Sequence, residues 1–174
     1  MIRKLLRRVF RKTAASPEPA LIPVEKHRIR REAISPGARQ TVARLQEHGH
    51  AAYVVGGAVR DLLAGIAPKD FDVATDATPE QVRALFRRAR IIGRRFRIVH
   101  VMQGGETIEV STFRAGNDDG AETDAYGRVL RDNVYGSLEQ DASRRDFTVN
   151  ALYYDPTTET ITDFHHGVAD LQQK

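Results

Sequence analysis

The sequence predicts an α/β (α+β) fold, a mixed sheet flanked by helices, and three observations carry that prediction. Short runs of apolar and β-branched residues, such as Ala52-Tyr53-Val54-Val55, read as strands. Capped helix openings stand between them, at Ser35-Pro36 and at Thr78-Pro79-Glu80-Gln81. Two strand patterns, residues 97–103 and 107–113, meet directly at Gly104-Gly105. That hairpin is incompatible with a strictly alternating doubly wound sheet, so the sheet is expected to be mixed.

Taken in order, residues 1–32 read as a basic arm and linker, expected to be disordered, and residues 33–174 as one folded domain. Ser16-Pro17-Glu18-Pro19 and Pro23 interrupt any helix there. A helix starts at Pro36, turns Val42 and Leu45 inward and stops at Gly49. The strand 52–55 enters Gly56-Gly57, and a short helix, 58–64, ends at Gly65. Residues 70–75 read as a second strand, followed by a helix with Val82, Leu85 and Phe86 on its apolar face. Residues 115–128 are rich in Gly, Asn and Asp and read as a mobile loop. Residues 144–150 read as helical, and a hairpin spans 153–164 around Asp155-Pro156.

Composition narrows the chemistry. The 174 residues include no Cys, which removes disulfides and thiolate metal sites and fits a reducing, cytoplasmic setting. A net charge of +4 favours an anionic partner such as nucleic acid. Within the arm, Arg3, Lys4, Arg7, Arg8, Arg11 and Lys12 interleave with Leu5, Leu6, Val9 and Phe10. That pattern leaves three readings: a solvated tail, a contact to RNA phosphates, or an amphipathic helix on an anionic membrane. It lacks the unbroken apolar stretch of a secretory signal.

The chemistry-bearing residues are acids, glycines and arginines. Asp70 and Asp72, two apart on one strand, share a face, whereas Phe71 and Val73 point to the core. Adjacent carboxylates repel and are reconciled by a proton or a cation, and an oxygen-seeking ion such as Mg²⁺ suits them. Glu109, between Ile108 and Val110, projects opposite its apolar neighbours. Should its strand lie beside that of Asp70, it completes a carboxylate triad for two metals. Gly56-Gly57 allows bare backbone amides to approach a phosphate, with Arg60 and Asp61 following. No Gly-Lys-Ser or Gly-Lys-Thr follows, which excludes a Walker-type ATPase loop. In Arg144-Arg145-Asp146-Phe147-Thr148-Val149-Asn150 the guanidinium forks suit triphosphate oxygens, and Asp146 and Asn150 are expected to be partly buried on a shared helical face. His100 reads as a structural strand position, and His165-His166 as a loop or cap.

Four segments in this order, 55–61, 69–72, 108–114 and 144–150, resemble the head domain of the bacterial poly(A) polymerase and CCA-adding enzyme family, within the polymerase-β-like nucleotidyltransferase superfamily. The resemblance covers roughly residues 33–171. Segments 92–101 and 130–137 are more similar to poly(A) polymerases than to CCA-adding enzymes. It implies template-independent transfer of AMP from ATP to an RNA 3′ end, with pyrophosphate released and no DNA involved. By position, the resemblance implies that Asp70 and Asp72 would bind two Mg²⁺ ions, with Mn²⁺ as the alternative ion. Gly56, Gly57, Arg60, Arg114, Arg145 and Asn150 surround the nucleotide. Glu109 and Asp146 match acidic positions of the family site, and the resemblance leaves open which is the third essential carboxylate. Two other activities stay in view: CCA addition to tRNA, and a non-catalytic RNA-binding module on the same fold. Family members continue into a helical neck, body and tail that select the base and hold RNA, so a fragment is expected here.

Overall fold

The computed structural model describes residues 18–116, 122–123, 129–131 and 134–173. The basic arm and most of the loop read at 115–128 lie outside these residues. In chain order the elements are β1 (Ala20–Ile22), α1 (Val24–His27), α2 (Pro36–Glu47), β2 (Ala52–Val55), α3 (Gly57–Leu63), β3 (Asp72–Thr75) and α4 (Pro79–Leu85). They continue with β4 (Ala89–Ile92), β5 (Ile98–Gln103), β6 (Glu106–Thr112), β7 (Glu122–Thr123), β8 (Val129–Arg131), α5 (Leu138–Ser143), β9 (Leu152–Asp155), β10 (Thr160–Asp163) and α6 (Gly167–Gln172). Single 3₁₀ turns occupy Arg31–Ala33 and Thr148–Asn150.

Eight strands form one mixed sheet in the order β1-β10-β9-β2-β3-β6-β5-β4. Every neighbouring pair is antiparallel except β3 with β6. A parallel pair needs a crossover, and α4 with the β4–β5 hairpin supplies it. The alternation of each strand sorts side chains between two faces. Val54, Val73, Val99, Val101, Ile108 and Val110 pack with Ala38, Val42 and Leu45 of α2 and Val82 of α4. Burying each of these branched side chains contributes about 1.5–3 kcal/mol. Val55, Ala74 and Tyr153 face the other way, against Phe113, Ala142 and Ala151.

The helix starts are sealed as their sequences require. The Ser35 hydroxyl accepts from the Ala38 amide, and Thr78 and Gln81 cap each other reciprocally ahead of Pro79. Among the described residues, no helix is long and apolar enough to cross a membrane.

Three local expectations are corrected, and one strand is added. Strand β3 begins at Asp72, so Asp70 stands on exposed chain just outside the sheet. Residues 144–150 are not a helix: α5 ends at Ser143, and Phe147 is extended at φ −127° and ψ 136°. A capping box of Ser137 and Gln140 starts that helix earlier than the arginine run suggests. Strand β4 follows α4 at once, where the sequence shows only Ala89-Arg90-Ile91-Ile92. Residues 20–32, read as linker, pack onto the domain: β1 pairs with β10, and Ile29 is buried.

Candidate active site

Strand β2 delivers the chain to Gly56, whose φ of +71° and ψ of −138° belong to a region closed to L side chains. A glycine is therefore required where the strand turns into α3. A Cβ on Gly56 would lie 3.7 Å from Nη1 of Arg145, and one on Gly57 would lie 3.4 Å from Nη2 of Arg60. Both bare backbone positions thus face guanidinium groups, the environment an anion would seek.

Asp72 opens β3 and stands in register with Val55 on one side and Glu109 on the other. Glu109 stands in register with His100 of β5 in turn, and His100 Nε2 lies 3.2 Å from Glu109 Oε1. The Asp72 carboxyl is held above the ordinary carboxylate range although its side chain reaches solvent. Loss of hydration is the main cause, Glu109 adds repulsion, Arg145 opposes it, and Asp70 adds a further push. Asp70 lies outside the strand but within electrostatic reach of this centre.

Arg145 is fixed from behind. Its Nε donates to the Tyr153 hydroxyl at 3.0 Å, its Nη2 to Oδ2 of Asp141 at 3.1 Å, and its Nη1 to the Asn150 carbonyl at 3.4 Å. The Tyr153 hydroxyl in turn donates to the same Asp141 oxygen at 2.7 Å. Asp141 and Tyr153 are buried, and burial, then the Asp141 carboxylate, push the phenol far above its usual range against the opposing pull of Arg145. Arg60 donates from Nη1 to Oδ1 of Asn150 at 2.9 Å and from Nε and Nη2 to Asp61 at 2.9 and 2.8 Å.

The structure therefore gathers Gly56, Gly57, Arg60, Asp72, Glu109, Arg145 and Asn150 around one mouth of the sheet. Two expected members reach this cluster only through Arg145 and its partner Asp141. Asp146 is exposed rather than partly buried, and it lines a groove with Arg145, Thr148, His165 and His166. Its expected place on one helical face with Asn150 is lost because Phe147, between Asp146 and the 3₁₀ turn at Thr148–Asn150, is extended. The Arg114 guanidinium lies 5.1 Å over the ring of Phe96, while its backbone N–H donates to Oδ1 of Asp141 at 3.1 Å. Asp141 and Tyr153 escaped sequence reasoning. The only sequence signal was the four-residue spacing of Asp141 and Arg145.

Among the described residues, no group of three or more His, Asp or Glu side chains converges as a ready metal cage. The donors on offer are carboxylate oxygens, and an ion held by them needs substrate oxygens to complete its shell.

This mixed sheet with its one parallel pair is the fold of the polymerase-β-like nucleotidyltransferases. Over 80% of this chain it overlays the Bacillus stearothermophilus CCA-adding enzyme in complex with CTP, at a TM-score of 0.63 and 37% identity, covering 32% of that protein. The chain belongs to the poly A polymerase head domain family, which matches residues 52–174. It is 52% identical over 166 residues to poly(A) polymerase I of Salmonella typhi, covering 91% of this chain and 36% of that one. Against the CCA-adding enzyme of Streptococcus pyogenes the identity is 40% over 133 residues, covering 76% of this chain and 32% of that one. The chain thus spans about a third of the length of the relatives it matches.

Proposed function

We propose that this domain is the catalytic head of a template-independent polynucleotide adenylyltransferase that acts on RNA 3′ ends, in RNA polyadenylation and decay in the cytoplasm. The observation that carries this reading is the in-register pair Asp72 and Glu109 beside an Arg145 aimed at the Gly56 turn. Crowded carboxylates next to an anion-seeking turn suit a reaction between a cation, a triphosphate and a hydroxyl.

In this reading Asp72, Glu109 and Asp70 hold one or two Mg²⁺ ions, or Mn²⁺, and Glu109 rather than Asp146 is the third carboxylate. Bound there, such ions polarise the α-phosphate and favour the ionised 3′-hydroxyl. Arg145 and the Gly56-Gly57 amides bind the β- and γ-phosphates, while Arg60 and Asn150 keep each other oriented at the nucleotide. The RNA 3′-hydroxyl gives its proton to solvent, its oxygen forms a bond to the α-phosphorus of ATP, the bond to the bridging oxygen breaks, and pyrophosphate leaves with that electron pair. Arg145 then meets the growing charge on the departing phosphates. The basic arm is assigned to RNA phosphates, with an anionic membrane as the competing surface.

Adenylate transfer is preferred to CCA addition because identity to the poly(A) polymerase is 52%, against 40% for the CCA-adding enzyme. A non-catalytic RNA-binding module is disfavoured, since such a module has no use for acids held against their mutual repulsion. The discriminating assay offers ATP and CTP separately, with Mg²⁺, to an unstructured RNA and to a tRNA lacking its 3′ end. It uses the head joined to the remainder of the longer family members. Extension of both RNAs by ATP alone is expected, and Asp72→Ala should abolish it. Undiminished extension by Asp72→Ala would sink the assignment, and extension restricted to the trimmed tRNA with CTP would shift it to CCA addition.

A further inference from the structure

Strand register carries the site further than its acids. Asp72 of β3 pairs with Glu109 of β6, Glu109 with His100 of β5, and His100 with Arg90 of β4. Residues paired directly across strands point to the same face, so these four side chains form one straight row. At ~4.8 Å per strand the row runs about 14 Å, from the catalytic mouth to the outer edge of the sheet. That length matches roughly four stacked nucleotides at ~3.4 Å each.

The face carrying this row is open. Its opposite face is covered by α2 and α4, but Ile92 and Met102 are 41% and 50% exposed at the β4–β5 end. There they line a groove of about 630 Å³ with His100, Arg87, Arg88 and Arg90. The three arginines are exposed, and among the described residues none of them has an ion-pair partner. The described residues that line the groove include no acid. Unpaired guanidinium groups beside uncharged, apolar floor residues fit a chain that alternates phosphates with flat bases. A peptide of acidic residues would satisfy the arginines but would leave Ile92 and Met102 without a use.

We propose that this row is a lane for single-stranded RNA, in which Arg88 and Arg90 hold phosphates about four nucleotides upstream of the 3′ end presented at Asp72. The lane rests on the reading of Asp72 and Glu109 as the catalytic mouth. It reads the backbone and not the sequence, which suits an end that keeps changing as it grows.

The test is equilibrium binding of a 5′-fluorescein octa-adenylate RNA to the chain without ATP, across a series of KCl concentrations. The double reversal Arg88→Glu with Arg90→Glu is expected to weaken binding at least tenfold at low salt. It should flatten the slope of log affinity against log salt by about 1.4, at ~0.7 for each single-strand phosphate that is no longer neutralised. A control of equal charge change on other surfaces, Arg28→Glu with Arg83→Glu, should keep the slope. The neutral pair Arg88→Gln with Arg90→Gln, checked by circular dichroism for folding, should flatten the slope equally with a smaller drop in affinity. Failure of the unsubstituted chain to bind the octamer, or equal slopes in the lane and control variants, overturns the lane. So does polyglutamate bound in place of RNA and released on reversal, which would give the groove to an acidic protein. A chain that binds RNA through the lane yet transfers no AMP, even when joined to the longer family architecture, would overturn the proposed function and leave the lane standing.

Discussion

Asp72 and Glu109 face each other in direct register across the one parallel strand pair of the eight-stranded sheet. Two acids so placed weaken the fold unless a cation or a proton lies between them. Because the folded-state pKa of Asp72 is raised, its contribution to stability is fully present below the ordinary carboxylate value. It is lost as pH rises through the raised one. At neutral pH the residue is therefore a net burden on stability that Mg²⁺ can lift.

Substituting Asp72→Asn should accordingly raise the melting temperature at pH 7 while abolishing nucleotide transfer. Melting curves with and without MgCl₂ provide the check. The unsubstituted protein should gain stability from Mg²⁺, the variant much less, and the gain should shrink as the buffer is taken down through the Asp72 titration. A variant that melts lower than the parent at pH 7 contradicts the repulsion described here.

Behind Arg145, the buried pair of Asp141 and Tyr153 should matter to both stability and substrate. Removing the carboxylate with Asp141→Ala leaves a part-buried guanidinium without its partner, at a cost of about 3–5 kcal/mol. Tyr153→Phe removes one hydroxyl from the same network and should cost about 1–3 kcal/mol. Urea titration measures both. In the milder variant Arg145 loses orientation but keeps its charge, so the KM for ATP should rise by more than kcat falls. Equal stability of Tyr153→Phe and the parent would show that the network is not holding Arg145.

Acid should loosen the N-terminal segment. Backbone N–H of Ile29 donates to Nδ1 of His27 at 2.9 Å, which leaves Nε2 to donate to the Glu159 carbonyl at 2.8 Å. The ring is therefore neutral, and burial lowers its pKa from the ordinary 6.5, against a smaller opposing pull from Glu159. A lowered pKa means that the stability it contributes is present above 6.5 and is lost as pH falls toward the folded value. Protection of residues 20–30 against hydrogen exchange, corrected for the intrinsic slowing of exchange in acid, should fall below about pH 6.5 in the parent but be low at every pH in His27→Ala. Corrected protection in the parent that stays constant over that range would remove His27 as the fastening point.

Much of the fold was legible because local signals agreed with the final packing. Ser35 and Thr78 cap the helices they announce, Val42 and Leu45 are buried, and Gly104-Gly105 turns the β5–β6 hairpin. The placing of Glu109 beside Asp72 followed from strand alternation once the two strands were neighbours. What stayed hidden depended on distance along the chain. Asp141 and Tyr153 meet 12 residues apart, and nothing at either position says that a tyrosine hydroxyl and a carboxylate will share Arg145. The run 144–150 reads as helical, yet the chain leaves the helix after Ser143 and is extended at Phe147 before a 3₁₀ turn, while Arg145 is held by Asp141 and Tyr153. Asp70 looked like a strand residue because alternation cannot mark where pairing begins.

The short strand β1 has a consequence for how copies of the chain meet. Without it, β10 would present a bare row of amides and carbonyls, an invitation for another molecule to add its own strand. Ala20–Ile22 fills that row with only three residues and sits between Pro19 and Pro23, which lack amide hydrogens to offer onward. These residues work as a stopper at the rim of the sheet. A version of the domain trimmed to begin at residue 33 would keep every residue around Asp72 and Glu109 and lose its guard against runaway strand addition.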